Sequence, residues 1–164
     1  MDEFGPLEIR PHHGVDWAPQ KKVRRLPASY TRPHKTRYLL GAYDVRRDQL
    51  FGIFRRHQTW VEFIELLADI RRRYPFKERL HIVLDNRKSH DRPPVLDFVR
   101  RNNMRLVFIP FYSSWLNWIE CHFTAIRKFA LSGRYFHSHR AQNAAIRTYL
   151  NYRNQTRQPF RKRH

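Results

Sequence analysis

The sequence predicts a single α/β domain in which a sheet is layered against helices. Its 164 residues are enough for one hydrophobic core, and a hydrophobic fraction of 41% with 15% aromatic residues is typical of a folded chain. From Leu80 onward, short apolar runs alternate with stretches of helical periodicity. This alternation is the pattern of a layered α/β fold.

The first 55 residues predict loops and a hairpin. Residues 1–37 are rich in Pro, His and basic residues, and we expect loops there with a short strand near Val23–Leu26. Tyr38–Val45 and Gln49–Phe54 predict the two strands of a hairpin around Arg46-Arg47-Asp48.

A helix is expected after Thr59, because Glu62 follows three residues later and completes a capping box. Pro75 marks the end of this helix. Its apolar stripe should face the core and consists of Trp60, Phe63, Ile64, Leu67, Ile70 and Tyr74.

The second half of the chain predicts strands and helices in alternation. These elements are the strand Leu80–Leu84, a helix over Asp91–Asn102, the strand Arg105–Ile109, a helix from about Ser114 to Leu131 and a helix from about His139 to Tyr152. In the first of these helices Val95, Leu96 and Val99 should face inward, and Gly133 should cap the second. The domain is therefore predicted to span residues 1–152, and residues 153–164 to form a basic, frayed tail.

The formal net charge of +19, from 33 Lys and Arg against 14 Asp and Glu, points to a polyanionic partner. Phosphate contacts by Lys and Arg would give a salt-dependent affinity. No run of about 18 apolar residues predicts a membrane span, and no signal-peptide pattern is visible. Cys121 is the only cysteine, which excludes an intrachain disulfide and suits a cytosolic protein.

Three acids stand out as candidate catalytic residues. Asp85 follows the apolar run Leu80–Leu84, and ligand sites of open α/β sheets lie beyond the carboxyl ends of the strands. Glu120 shares with Asn117 the polar edge of a predicted helix. Each also has a plain structural interpretation, Asp85 as a turn residue and Glu120 as a solvated one, and Asp2 at the chain start is expected to be disordered. Three carboxylates on so basic a chain suggest metal-assisted phosphodiester chemistry on DNA.

Other kinds of site are less well supported. Cys121-His122 and His137-Ser138-His139 do not have the spacing of a common zinc site, which needs four closed ligands. With five glycines the chain has no glycine-rich phosphate loop. Composition leaves a Ser/His/Asp triad open, but there is no nucleophile elbow to support one.

One combination of segments is specific. It consists of Asp85-Asn86 with His90, Pro110-Phe111-Tyr112-Ser113, and Leu116-Asn117-Trp118-Ile119-Glu120. Together these segments resemble the catalytic half of mariner-superfamily transposases, and most closely the bacterial insertion sequence 630 family. An interval of 34 residues between the last two catalytic acids, like that between Asp85 and Glu120, is typical of the superfamily. The opening Asp2-Glu3-Phe4-Gly5-Pro6 is similar to the stretch that begins with the family's first catalytic Asp. Further similarity at Arg127–Leu131 and Tyr152–Asn154 extends the resemblance over essentially the whole chain.

The resemblance implies a ribonuclease-H-like fold, with a mixed sheet flanked by helices. In this family three carboxylates surround two divalent cations, usually Mg²⁺ (or Mn²⁺), and hard ions of this kind prefer oxygen ligands. Asp2, Asp85 and Glu120 would be the catalytic acids and metal ligands. The implied activity is cleavage of double-stranded DNA and strand transfer of transposon ends into a target, in the bacterial cytoplasm at the nucleoid. Candidates for contacts with DNA are Arg87, Lys88, His90 and Asn117.

The chain also departs from the family pattern. The family usually has Pro where Trp118 stands and often Pro at Ser114. Only Met1 precedes Asp2, so we expect the first strand to be largely missing and the chain alone to be feeble or inactive as a nuclease. The expected protein partners are an upstream-encoded N-terminal half and a possible second copy of the chain in a homodimer. Two alternatives stay open at this point: a non-catalytic DNA-binding remnant of a transposase, and a general nuclease on the same fold.

Overall fold

The fold is described from a computed structural model, which covers residues 1–15, 19–22, 25–27, 36–111, 113 and 116–157. It contains five strands, four α-helices and a short π-helix. In chain order these are β1 Asp2–Leu7, β2 Arg37–Asp44, β3 Gln49–Arg55, α1 Trp60–Arg72, β4 Leu80–Leu84, α2 Pro93–Arg101, β5 Met104–Phe108, α3 Ile119–Ile126, the π-helix Arg127–Leu131, and α4 His139–Gln155. No helix in this described part of the chain is long and apolar enough to cross a membrane.

The strands form a mixed sheet in two hydrogen-bonded parts. β1, β2 and β3 are antiparallel in that order, and β4 pairs with β5 in parallel. The two parts meet where β1 begins and β4 ends, because the Met1 nitrogen donates a hydrogen bond of 2.6 Å to the Val83 carbonyl oxygen. The carboxyl end of β4 therefore lies beside the first residues of β1.

Helices cover both faces of the antiparallel part. Side chains of a strand point alternately to the two faces, and in β2 Leu40 and Ala42 join the core formed with α1 and α2, whereas Leu39 joins the core formed with α3 and α4. The predicted layered α/β arrangement is thus confirmed, and the domain has one core on each side of the sheet.

Gly41 in β2 lets α3 pack closely against this strand. Its Cα is opposite that of Asp2, and a Cβ added there would come within 3.0 Å of the Phe123 ring and 3.1 Å of Ile119 Cδ1. Since Ile119 and Phe123 belong to the buried face of α3, a side chain at position 41 would push this helix away from β2.

We therefore predict that Gly41→Val destabilises the protein by about 1–3 kcal/mol, the usual cost of inserting methyl groups into a packed core. Urea denaturation followed by circular dichroism would measure the change. Gly52→Val is not a suitable comparison, because a Cβ at Gly52 would lie 2.3 Å from the Leu40 carbonyl oxygen. An unchanged urea midpoint for Gly41→Val would show that α3 is not held against β2.

Most of the predicted elements are confirmed, with shifts at their ends. The Thr59–Glu62 capping box is present, and the hairpin and both later strands lie within two residues of their predicted bounds. α2 begins at Pro93 and buries Val95 and Val99, but Leu96 is exposed, contrary to expectation. The predicted helix from Ser114 to Leu131 is shorter: α3 starts only at Ile119 and continues into the π-helix, after which Gly133 has the positive φ expected of a cap.

The expectation for the start of the chain was wrong. Residues 2–7 form a strand rather than a loop, and the first strand is therefore present over Asp2–Leu7. Asp2 does not fray, because it pairs with Gly41 and its neighbour Met1 is bonded to Val83. Gly and Pro are uncommon inside strands, so Gly5-Pro6 obscured the pattern. The strand expected near Val23–Leu26 lies partly outside the described residues, and its described part is not in a strand.

The last helix also extends further than predicted. Asn154 exchanges two hydrogen bonds with the backbone of Leu50, accepting from its N–H at 2.9 Å and donating to its carbonyl oxygen at 2.8 Å. Arg153 forms an ion pair with Asp48. These contacts fix residues 153–155 as helix instead of frayed tail. The division into a domain over 1–152 and a tail over 153–164 stays a prediction, because residues 158–164 lie outside the described part.

Candidate active site

Asp2 lies where the two parts of the sheet meet. Successive side chains of β1 point to opposite faces, so Asp2 points toward α3 and Glu3 toward α1. The Asp2 carboxylate accepts hydrogen bonds from the Asn117 side-chain amide at 3.0 Å and from the Glu3 backbone N–H at 2.7 Å. Burial raises the pKa of Asp2 to about 6, and the negative charges of Glu3 and Asp85 add to this rise.

Asp85 follows β4 and is held by a buried histidine. The two ring nitrogens of His90 lie 3.2 Å from the Asp85 carboxylate and 3.2 Å from the Glu3 carboxylate. The ring also packs on Phe63, with 4.3 Å between the ring centroids. Arg87 reaches Glu3 from the loop at 2.8 Å. His90 thus connects Asp85, at the end of β4, to Glu3 of β1.

The charges of this Glu3–His90–Asp85 bridge support one another. Burial opposes protonation of His90, but its hydrogen bonds and the negative charges of Asp85 and Glu3 outweigh burial and raise its pKa to about 9. Hydrogen bonding from His90 is the largest influence on Asp85 and lowers its pKa. For Glu3, burial favours the neutral form, but His90 and Arg87 outweigh it and lower the pKa. The bridge is therefore charged at neutral pH.

Glu120 stands in the first turn of α3, and its side chain is exposed. Its backbone N–H donates to the carbonyl oxygen of Asn117 at 3.0 Å, and the side chain of the same Asn117 contacts Asp2. The start of α3 is thereby attached to β1. Even so, within the described residues no three His, Cys, Asp or Glu side chains are close enough together to hold a metal ion. Asp85 lies near enough to Asp2 for its charge to act on it, and Glu120 is linked to Asp2 through Asn117.

Two of the four residues expected to contact DNA are buried. His90 is only 1% exposed and binds two carboxylates, and Asn117 is buried against Asp2, so neither side chain is available to a phosphate. Both assignments were wrong, because a residue close in sequence to a partly exposed acid can itself point into the core. Arg87 and Lys88 are exposed, and their contact with DNA stays a prediction.

The sequence analysis missed the role of Glu3, whose side chain is 4% exposed. A buried acid at the start of a chain has no signal of its own. Had a strand been predicted over residues 2–7, it would have revealed Glu3. The buried side chains of this strand include Phe4 and Leu7, and the adjacent acids Asp2 and Glu3 must then point to opposite faces of the sheet.

Asp2 and Asp85 are partly exposed, and Glu120 is exposed. A cleft of about 640 Å³ lies nearby, between the end of β2 and β4, and includes Met1, Asn117 and Trp118 in its wall. None of the three acids lines this cleft. The cleft is therefore separate from the three acids, although Asn117 borders the cleft and also contacts Asp2.

We predict that Asn117→Leu raises the pKa of Asp2 above its present value of about 6. The substitution keeps the side-chain size and removes a donor that stabilises the ionised carboxylate, so the neutral form gains. Titration of the Asp2 carboxyl carbon by NMR would measure the shift. Asn86→Leu is a control, since the Asn86 side-chain amide donates to the Ile109 carbonyl oxygen and not to Asp2. If the pKa of Asp2 is the same in both variants and in the unmodified chain, the contact between Asn117 and Asp2 is contradicted.

Comparison with known proteins identifies the family. The DDE superfamily endonuclease family matches residues 1–141. No curated protein sequence matches the chain. Among solved structures, the Mos1 mariner paired end complex with Mn has a TM-score of 0.66 at 17% identity, over 96% of this chain and 48% of that one. The Mos1 strand transfer complex has a TM-score of 0.62 at 18% identity, over 92% of this chain and 44% of that one.

A third similar structure is the catalytic core domain of BIV integrase, with a TM-score of 0.55 at 12% identity over 76% of this chain and 78% of that one. The fold is therefore the ribonuclease-H-like fold of transposase and integrase catalytic cores, as the resemblance implied. This chain spans less than half the length of the Mos1 chains that it matches. Because the family match extends over most of its length, the chain belongs to the DDE superfamily of endonucleases.

Proposed function

We propose that this chain is the catalytic part of a transposase that cuts double-stranded DNA and joins the cut 3′ ends to a target. Asp2, Asp85 and Glu120 are the proposed catalytic acids. One observation carries the proposal: two of these acids, 83 positions apart in sequence, lie close enough at the meeting point of β1 and β4 for the charge of Asp85 to act on Asp2, and the third is in the helix turn attached to Asp2 through Asn117.

The donors at this point suit hard divalent cations. Asp2 is largely buried with two further anions nearby; burial is the main cause of its raised pKa, and repulsion from Glu3 and Asp85 adds to it. A divalent cation would offset that repulsion, and carboxylate oxygens are the ligands that Mg²⁺ prefers. Each Asp2 oxygen accepts one protein hydrogen bond and has a further lone pair. When bound, a pair of such cations activates the attacking oxygen and stabilises the leaving one.

The other side chains orient these acids. His90 holds one Asp85 oxygen from a rigid, buried position, so the remaining carboxylate edge points outward from β4. Asn117 fixes the start of α3 against β1, which sets where Glu120 leaves the helix. Positioning of this kind matters, since a misplacement of about 1 Å can cost on the order of 100-fold in rate.

The partners are proposals of the same kind. The Mos1 structures are named as paired end and strand transfer complexes, which supports duplex DNA with transposon ends and target as the partner here, and assembly of two copies. Mos1 structures with Mn and with Mg support Mg²⁺ or Mn²⁺ as the cations. A cytoplasmic location at the nucleoid completes the proposal.

The test is an assay with a labelled duplex and an unlabelled target in Mg²⁺. The proposal expects cleavage products and also labelled strands joined to the target. Hydrolysis without joining would identify a plain nuclease. Binding without any cleavage, under conditions where added Mn²⁺ also fails, would identify a DNA-binding remnant and contradict the proposal.

A further inference from the structure

The positive charge of this chain is concentrated after Glu120. The last 44 residues contain ten Lys and Arg and no Asp or Glu, so they carry +10 of the formal +19. Among the cations of this segment that the structure describes, Arg153 is paired with Asp48, and no other forms an ion pair. The exposed arginines of α2 differ, because Arg100 and Arg101 share Asp97. A surface left without acids has its charge available to a partner.

One exposed flank of α4 presents two arginines. His139, Gln142, Ile146 and Leu150 are the buried side of this helix. Arg140 and Arg147 are seven positions apart, which puts them on a common exposed face at about 10.5 Å along the axis. That distance corresponds to about three phosphates of one DNA strand, at about 3.4 Å each. Arg147 is also oriented, since its guanidinium lies over the Phe54 ring at 5.2 Å.

The other flank combines a cation with exposed aromatic rings. Phe129 of the π-helix is 58% exposed and stacks on Tyr149 of α4, with centroids 5.8 Å apart and planes at 15°. The Lys128 ammonium lies over the Phe129 ring at 5.6 Å. One turn from Tyr149, Tyr152 is 64% exposed. Small residues, Ala144 and Thr148, lie exposed between the two flanks and leave room for a close approach.

We propose that this surface, formed by Arg140 and Arg147 on one flank and by Lys128, Phe129 and Tyr152 on the other, binds the phosphate backbone of duplex DNA. It rests on the proposed function in taking DNA as the polyanion. The unpaired cations supply attraction that is independent of sequence, and the aromatic rings cover the sugar edge of the backbone. The contacts hold the duplex against α4, whereas the catalytic acids act at the other end of α3.

Equilibrium binding of a fluorescent duplex, in EDTA and over a range of salt concentrations, tests the proposal. The variants are Arg140→Gln with Arg147→Gln, and Lys128→Gln. The matched control is Arg100→Gln with Arg101→Gln, which removes the same two charges from a helix on another part of the surface. Each lost phosphate contact should reduce the log–log salt slope by about 0.9 on duplex DNA. We expect a decrease of about 1.8 for the α4 double variant, about 0.9 for Lys128→Gln, and little change for the control.

Equal slopes for the α4 variant and the control would overturn the proposal, because the charge would then act only through the net total. Loss of self-association in the α4 variant, with unchanged DNA binding, would also overturn it and identify the surface as an interface between two copies. Binding in EDTA is independent of cleavage. A chain that binds as expected but never cuts DNA would therefore contradict the proposed function and leave this surface intact.

Discussion

Replacing Asp85 with Asn is expected to reduce Mg²⁺-dependent cleavage of duplex DNA at least about 100-fold while the fold is retained. The substitution keeps the size of the side chain and removes the negative charge that attracts a cation. Metal-assisted stabilisation of charge in the transition state contributes several kcal/mol, and each loss of about 1.4 kcal/mol is tenfold in rate. Initial rates on a labelled duplex would measure the effect. Because Asp85 is half-buried and His90 can still bond to an amide, we expect little change in the urea midpoint.

Asp97→Asn is the matched control for this experiment. Asp97 is a surface acid of α2 that pairs with Arg100 and Arg101, so its replacement alters the net charge equally without touching the site. The control should cleave at the unmodified rate. Equal activity of the Asp85 and Asp97 variants would contradict the assignment of Asp85 as a catalytic acid.

The second large effect is expected on stability, from His90→Ala. The substitution leaves the nearly buried Glu3 carboxylate without one of its two partners and removes the ring that packs on Phe63. Breaking a buried ion pair by removing one partner typically costs roughly 3–5 kcal/mol. Arg87 still pairs with Glu3, so we expect a value near the lower end, measured by urea denaturation at pH 7.

A second variant separates the loss of charge pairing from the loss of packing. Glu3→Gln removes the buried charge, so adding His90→Ala to it should cost clearly less than His90→Ala alone. If His90→Ala lowers the free energy of unfolding equally with and without Glu3→Gln, then packing on Phe63, and not the ion pair with Glu3, accounts for the role of His90.

The same histidine predicts how stability depends on pH. Its pKa is about 9 in the folded chain and about 6.5 in an unfolded one. The folded state therefore binds the proton more tightly, and this stabilisation is fully present below a pH of about 6.5 and is lost as the pH rises to about 9. We expect the free energy of unfolding to fall over this range and the fall to be smaller in His90→Gln. A profile that is the same in both proteins would contradict the charged bridge.

The helices and strands that could be predicted are those in which the pattern of apolar and polar residues is uninterrupted from one end of the element to the other. α1 has its capping box and apolar stripe in 13 residues, and β4 is a short run bounded by polar residues, so both were placed almost correctly. β1 could not be found, because Gly5 and Pro6 interrupt its alternation and its partner strand is more than 30 residues away.

The candidate site shows the same distinction. Spacing and flanking residues selected Asp85 and Glu120, and the resemblance selected Asp2. Only the tertiary structure revealed that His90 and Asn117 point inward to carboxylates instead of outward to DNA. Sequence position gives proximity along the chain, whereas the direction of a side chain depends on packing partners such as Phe63, which lies 27 positions from His90.

The most direct test of the central claim is a crystal structure of the chain with duplex DNA and Mn²⁺, using the anomalous signal of manganese to locate the ions. We predict manganese between Asp2 and Asp85, with the Glu120 carboxylate turned toward the same site and within roughly 4–8 Å of that of Asp85, the span of a site for one or two ions. Manganese bound elsewhere, or Glu120 facing away from both aspartates in the DNA complex, would contradict the claim that these three acids form one catalytic centre.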